Sequence, residues 1–181
     1  MSNADYPPEI RQRAQNIRLL ILDVDGVLTD GHLYFGPKGE ALKVFYVRDG
    51  HGIKMVQRAG LEVAFVSGRR SDAAYHRAKE LGISRFHEGV RDKVAVMEEL
   101  MAAMNIEASQ VAAVGDDLVD LPIMARAGLA VAVADAVPEV LAAAHWVTAN
   151  PGGRGAVREV CDLLIKAQGK WEEIVSPWIG T

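Results

Sequence analysis

The sequence predicts an α/β fold with a doubly wound, mainly parallel sheet, and three observations predict it. Four apolar runs, Leu19 to Leu22, Leu61 to Val66, Val111 to Val114 and Leu129 to Val133, broken only by Glu62, are near-continuous rather than alternating, as strands buried on both faces are. Stretches of helical spacing separate the runs, and parallel strands need such crossovers. The chain has 181 residues, 50% of them hydrophobic, enough for one substantial core and too few for two comfortable domains.

Element by element, Asp5 followed by Pro7 and Pro8 marks a helix start, since proline is tolerated in a first turn, and that helix runs to about Gln15. Met1 to Ala4 are set aside. The first strand, Leu19 to Leu22, ends in Asp23. Between Thr29 and Asp49 the pattern changes: His32 to Phe35, a Gly36-Pro37-Lys38-Gly39 turn and Ala41 to Val47 read as a β-hairpin inserted after the first strand. Helices are expected at Gly52 to Ala59, Ser71 to Leu81, Lys93 to Met104, Asp120 to Ala127 and Pro138 to Ala144, with Gly60, Gly82 and Gly128 as C-terminal stops. After Trp146 a glycine-rich loop, Asn150 to Gly155, enters a last helix whose Val157, Val160, Cys161, Leu164 and Ile165 share one face. The expected organisation is one domain over 10–169 and a tail over 170–181, in which Trp171 and Trp178 anchor against protein.

Composition removes several functions. A net charge of −4 supplies no basic field for a polyanion, so no nucleic-acid partner is expected and any phosphate chemistry must rest on local cations. With one cysteine, Cys161, no disulfide closes within the chain. No apolar run approaches the ~18 residues of a membrane span, and the polar stretch from Asp5 to Asn16 lacks a secretory apolar segment, so no membrane association and a cytoplasmic location are expected.

In an open parallel sheet ligands bind at the carboxyl ends of the strands, where loops diverge and helix N-termini point inward. At those ends stand Asp23-Val24-Asp25-Gly26, Ser67-Gly68-Arg69 and Gly115-Asp116-Asp117, with Lys93 opening a helix after Arg91-Asp92. So many carboxylates on one edge repel one another unless a cation joins them, and oxygen-only ligands select a hard ion such as magnesium. A hard cation beside a carboxylate and a lysine equips a site for phosphoryl transfer. Asp23 is positioned as nucleophile. Asp25, two residues on in extended chain, returns to the same side as acid and base. Ser67 and Lys93 would hold the phosphoryl oxygens, and Asp116 would complete the metal shell. Arg69, Arg48 and His51 are candidates for a substrate's carboxylate or hydroxyls, and Arg154, set among glycines, is a candidate for a lid. Asp117 and Asp120 either cap the following helix or order Asp116 and Lys93.

The four motifs, Asp23-Val24-Asp25-Gly26, Ser67, Lys93 and Gly115-Asp116-Asp117, stand in the order found in the haloacid dehalogenase superfamily, which the sequence resembles over roughly residues 10 to 170. Longer strings narrow the likeness: Val27-Leu28-Thr29-Asp30-Gly31 after the first motif, Val47-Arg48-Asp49-Gly50, Leu118 with Asp120-Leu121-Pro122, and Gly152-Gly153-Arg154-Gly155-Ala156-Val157-Arg158-Glu159. These are similar to the 3-deoxy-D-manno-octulosonate 8-phosphate phosphatase family. That resemblance implies a phosphorylated sugar-acid substrate, an aspartyl-phosphate intermediate, a product used for lipopolysaccharide and a homotetramer. It also implies magnesium held by Asp23, Asp116 and the main-chain carbonyl of Asp25. Val119 departs from the proline of many relatives, without expected effect on the chemistry.

Many relatives cover the site with an inserted domain, whereas only the hairpin follows Asp25 here. The hairpins of neighbouring subunits, with the glycine loop and tail, are therefore expected to exclude water. Competing readings are a phosphatase for N-acylneuraminate or deaminoneuraminate 9-phosphate and a non-catalytic phosphatase-like oligomerisation module. A signalling receiver would carry its phospho-accepting aspartate after a middle strand, and no nucleotide-binding glycine motif occurs.

Overall fold

In the computed structural model, which describes residues 6–179, the chain runs through α1 (Pro8–Gln15), β1 (Leu19–Leu22), β2 (Tyr34–Gly36), β3 (Gly39–Leu42), α2 (Val47–Arg58), β4 (Glu62–Val66), α3 (Asp72–Leu81) and β5 (Arg85–His87). It continues through α4 (Lys93–Met104), β6 (Val111–Gly115), α5 (Leu121–Met124), β7 (Leu129–Ala132), α6 (Pro138–Ala143), β8 (Trp146–Val147), α7 (Ala156–Ala167) and α8 (Trp171–Ile179). Met1 to Ala4, the Asp5 expected to open the first helix, and the last two residues of the tail lie outside the described residues. Six strands form one parallel sheet in the order β5-β4-β1-β6-β7-β8, and β2 and β3 pair antiparallel as a separate hairpin. Among the described residues no helix is long and apolar enough to cross a membrane.

β1 is the central strand, and all four of its residues are buried. Burying each such leucine or isoleucine is worth about 1.5–3 kcal/mol, which locks the register. Leu22 pairs with Phe65 of β4 on one side and Val114 of β6 on the other. Asp23, Ser67 and Asp116 therefore emerge together at one edge, where the chain order reverses across the sheet. Helices α1 and α2 both pack against α7, and α4, α5 and α6 form a second group in which α5 and α6 lie against β6 and β7.

The four strands read from near-continuous apolar runs are present within a residue at each end. β5 and β8 escape that reading because they are short edge strands, three and two residues long, whose side chains stay partly exposed. The hairpin is shorter than expected: its second arm ends at Leu42, and Val47 already opens α2. Gly50 and Gly52 disguise that early start in the sequence. Close approach to α7 accounts for Gly52, where a Cβ would meet Arg158 Cδ at 2.9 Å and Cys161 Cβ at 3.2 Å, while a Cβ at Gly50 would displace the Arg77 guanidinium, 2.0 Å away. Gly128, expected as a helix stop, instead lies against Ser109, whose carbonyl oxygen would stand 2.2 Å from an added Cβ. The expected Asp120 to Ala127 helix is a 3₁₀ turn, Leu118–Asp120, followed by the single turn of α5.

The tail forms α8. Lys166 stands 4.3 Å from the centre of the Trp171 ring, and Trp178 meets His51 and Arg58 of α2 at 5.1 and 5.2 Å. Cys161 is fully buried, and burial pushes its thiol well above the ordinary range.

The α2–α7 contact carries an ion inside the core. Asp49 is buried, and its carboxylate accepts hydrogen bonds from Arg158 N at 2.8 Å and Gly155 N at 3.3 Å. Gly155 has no side chain with which to cap α7, so a neighbouring helix supplies the cap. Burial, the largest influence, lifts Asp49 to about 6, against the pull of the two N–H groups. Asp49→Ala is expected to cost about 1–3 kcal/mol by leaving these donors unsatisfied. Urea unfolding at neutral pH measures this, and a change below a few tenths of a kcal/mol would refute the capping role.

Candidate active site

Asp23 leaves the carboxyl end of β1 into a buried position. Lys93, the first residue of α4, reaches it with Nζ 2.5 Å from Asp23 Oδ1, and the same ammonium lies 2.6 Å from Asp120 Oδ1. Asp92 directs that reach, since its Oδ1 accepts from Val94 N and Ala95 N at 3.0 and 3.1 Å and fixes the first turn of α4. Burial opposes the ammonium, but Asp23 and Asp120 outweigh it and hold Lys93 above its usual range.

Asp120 is fully buried. Its Oδ2 accepts from Asp116 N at 3.1 Å and Asp117 N at 3.4 Å, so one carboxylate orders both Lys93 and the end of β6. Gly115 leaves room for it, since a Cβ there would come within 2.4 Å of the Asp120 Cβ. Asp117 has the other role considered for these acids: its Oδ1 accepts from Leu118 N at 2.7 Å and caps the 3₁₀ turn.

Carboxylate oxygens of Asp23, Asp116 and Asp120 all lie within 4.8 Å of one another. Burial raises Asp23 from 3.8 to about 7, with Asp120 adding to the rise and Lys93 opposing it. Asp116 rises to about 8, chiefly through burial and then through Asp23, Asp120 and Asp117.

The loop after β1 is held as tightly as the acids. Thr29 Oγ1 accepts from Gly26 N and Gly31 N, both at 3.3 Å. Gly26 has φ +95°, and a Cβ on it would meet Asp116 Oδ2 at 2.0 Å. From the other side Gly153 N donates to Val27 O at 2.9 Å, Gly152 N donates to Asp135 Oδ1 at 2.9 Å, and a Cβ on Gly152 would lie 1.7 Å from Gly26 O. The two glycines thus brace the Asp23–Asp30 loop by backbone contact. Only Arg154 projects from this segment, exposed, with Nη2 3.9 Å from Asp30 Oδ2.

Asp25 faces the hairpin, with Oδ1 paired to Lys43 and Oδ2 3.8 Å from Arg69 Nε. Ser67 is buried at the end of β4, the strand next to β1, its Oγ accepting from Arg69 N at 3.2 Å. The structure thus brings together Asp23, Lys93, Asp116 and Asp120, and beside them Asp25, Ser67 and Arg69. Arg48 is exposed in the first turn of α2, its guanidinium 6.0 Å from the Tyr46 ring centre, and His51 packs on Trp178.

Comparison with known proteins adds to this geometry. The chain is 52% identical over 164 residues to the 3-deoxy-D-manno-octulosonate 8-phosphate phosphatase of Yersinia pestis, covering 91% of this chain and 88% of that one. The chain belongs to this phosphatase family. A family model described as haloacid dehalogenase-like hydrolase matches residues 86–159. The crystal structure of the Yersinia pestis phosphatase superposes with a TM-score of 0.89, covering 91% of this chain and 89% of that one. That of the Moraxella catarrhalis phosphatase, in complex with magnesium, phosphate and KDO, superposes at 0.92 with 38% identity, covering 96% and 99%.

The acidic group of this family member fits a hard cation, since its donors are all carboxylate oxygens and one lysine cannot balance three acids. Asp120 is already occupied by Lys93 and two backbone N–H groups. Asp23 and Asp116 are therefore the better side-chain ligands, and Asp25, whose carboxylate is paired with Lys43, has its main-chain carbonyl to offer.

A pH dependence follows. Both folded values lie above the ordinary 3.8, so the metal-free protein gains protons on folding and loses stability as pH rises from about 4 through 7 and 8. Magnesium must displace those protons, so its apparent affinity is expected to weaken about tenfold per unit as pH falls from 8 to 7, and more steeply below 7. Calorimetric titration at three pH values checks this, and a pH-independent affinity would refute it.

The sequence leaves Asp120 between two roles and gives no sign of Lys43 or Glu40. The Asp-x-x-Asp spacing within a helix start, Asp117 to Asp120, is the local signal for the first. Nothing in a hairpin's sequence tells which way its lysine points.

Proposed function

We propose that this chain is a magnesium-dependent phosphatase that hydrolyses 3-deoxy-D-manno-octulosonate 8-phosphate to 3-deoxy-D-manno-octulosonate and phosphate, supplying lipopolysaccharide synthesis in the cytoplasm. The observation that carries the reading is the Lys93 ammonium held between Asp23 and Asp120 at the end of the central strand. It sits in a chain half-identical to phosphatases named for that substrate.

Asp23 attacks phosphorus in line, the bond from phosphorus to the sugar oxygen breaks, and an aspartyl phosphate forms. Asp25 gives a proton to the departing oxygen, then takes one from the water that attacks the aspartyl phosphate and restores Asp23. Lys93 and the Ser67 hydroxyl hold the phosphoryl oxygens, with Lys93 offsetting the charge that builds on them. Asp23, Asp116 and the carbonyl of Asp25 hold magnesium, whose charge offsets the repulsion between the Asp23 carboxylate and a phosphate dianion.

Arg69, beside Asp25, is assigned to the sugar acid's carboxylate or hydroxyls. Arg48 and Arg154 serve the same ligand from the exposed rim. The catalytic unit is one domain over 10–169, and a homotetramer supplies the cover. The support for an assembly is the exposed apolar set on and beside the hairpin: Leu33, Tyr34, Phe35, Leu42 and Val44.

The test is phosphate release from a panel of phosphorylated sugars and sugar acids, with and without EDTA. Preference for 3-deoxy-D-manno-octulosonate 8-phosphate, lost on chelation and restored by magnesium, is expected. Preference for a neuraminate 9-phosphate would replace the substrate and keep the mechanism, and no turnover by folded, magnesium-loaded protein would favour the oligomerisation module.

A further inference from the structure

The hairpin carries none of the residues assigned above to bond making, yet it reaches the acid. Lys43, one residue past β3, has a side chain only 1% exposed, and its ammonium pairs with Oδ1 of Asp25. The same ammonium lies 3.0 Å from Glu40 Oε2, while Glu40 Oε1 accepts from the Ser71 hydroxyl at the start of α3. Arg69 approaches from the other side, Nε 3.8 Å from Asp25 Oδ2 and Nη2 3.7 Å from Glu40 Oε2. Glu40 thus joins both cations that flank Asp25 and ties them to α3.

The two oxygens of Asp25 are not equivalent in this network. Oδ1 is taken by Lys43, whereas Oδ2 is buried and accepts no hydrogen bond among the described residues. A carboxylate anchored through one oxygen cannot rotate freely, and its second oxygen is left at a defined place. Burying a lysine between two part-buried carboxylates to anchor a hairpin is also costly where apolar contacts would serve, so the network needs a reason beyond adhesion.

We infer that Lys43 is a positioning residue for proton transfer: with Glu40 it clamps Oδ1 of Asp25 and presents Oδ2 to the oxygen that leaves the phosphoryl group. The inference rests on the reading of Asp25 as the acid. It gives the hairpin an inner function, so that the element expected to meet neighbouring subunits also sets the geometry of the acid.

Poor leaving groups separate this role from simple structural support. A sugar alkoxide departs only when protonated, whereas p-nitrophenolate departs unaided. The experiment measures kcat/KM, which reports the step up to phosphoryl transfer, for 3-deoxy-D-manno-octulosonate 8-phosphate and for p-nitrophenyl phosphate in Lys43→Met, Lys43→Arg, Asp25→Asn and the Asp25→Asn, Lys43→Met double variant. The ratio between the two substrates does not depend on how much of a variant is folded. Lys43→Met is expected to lose about tenfold or more on the sugar phosphate beyond its loss on the aryl phosphate, part of the ~10²–10⁴ that an acid supplies. Lys43→Arg should recover most of that, and Lys43→Met should add no further loss once Asp25 is asparagine. Equal losses on the two substrates, or a full additional loss in the Asp25→Asn background, would overturn the role of Lys43. If Asp25→Asn itself penalises both substrates equally, the acid assignment fails and the inference falls with it. If only Asp25→Asn is selective, the Lys43 inference alone fails.

Discussion

Asp23→Asn is expected to lower phosphate release by about 10⁴-fold or more, since removing a nucleophile takes away the covalent route and leaves only binding and charge stabilisation. The amide keeps the shape of the carboxylate, and Lys93 keeps Asp120 as a partner at 2.6 Å, so the fold should hold. Metal-free stability is expected to be unchanged or higher near pH 8, because the substitution removes one of the charges that raise Asp116 to about 8. This separates loss of chemistry from loss of structure. Rapid quench with radiolabelled substrate should trap phosphate on the wild-type chain and none on the variant. Activity within a hundredfold of wild type, measured on protein free of contaminating phosphatase, would remove Asp23 from the nucleophile position.

Asp120→Ala is expected to combine the largest stability loss with a second large loss of activity. The substitution leaves the buried Lys93 with one partner and strips Asp116 N and Asp117 N of their acceptor. Breaking a buried charge pair of this kind costs about 3–5 kcal/mol. The effect on turnover, about 10–100-fold, would act through Lys93 and Asp116, whose orientation Asp120 maintains. Asp120→Asn, which keeps an acceptor without the charge, should recover much of the stability and less of the activity. Denaturant unfolding read alongside kcat and magnesium affinity tests this. A variant as stable as wild type would show that Asp120 does not hold the site together.

Half of this site can be read along the chain because strands report their own burial. Leu19–Leu22 and Val111–Gly115 are apolar throughout, and the first polar residue after each is at the carboxyl end of a buried strand. Since β1 pairs with β4 and β6 in register, such residues must share an edge. Lys93 needs one further step, the helix start marked by Asp92, before its direction can be stated.

Other features have no local signature. Gly152 and Gly153 read as flexible in the sequence, a natural inference from missing side chains, but their lack of Cβ atoms serves contact with Gly26 and Thr29 more than a hundred residues earlier. Asp49 reads as part of a loop and is a buried cap for a helix that begins at Ala156. Lys43 and Glu40 lie in a hairpin too short and too exposed for pattern to orient, and only its folding back over Asp25 gives them partners.

Pattern along the chain therefore suffices for fold class, the four long strands and the acids at their ends, because hydrophobic burial and chain direction act at each residue's own position. Which polar groups meet, which glycines are needed for contact rather than for turns, and how Asp25 is held depend on contacts between distant segments. Those contacts exist only after the sheet has closed around its core, and no periodicity in the sequence encodes them.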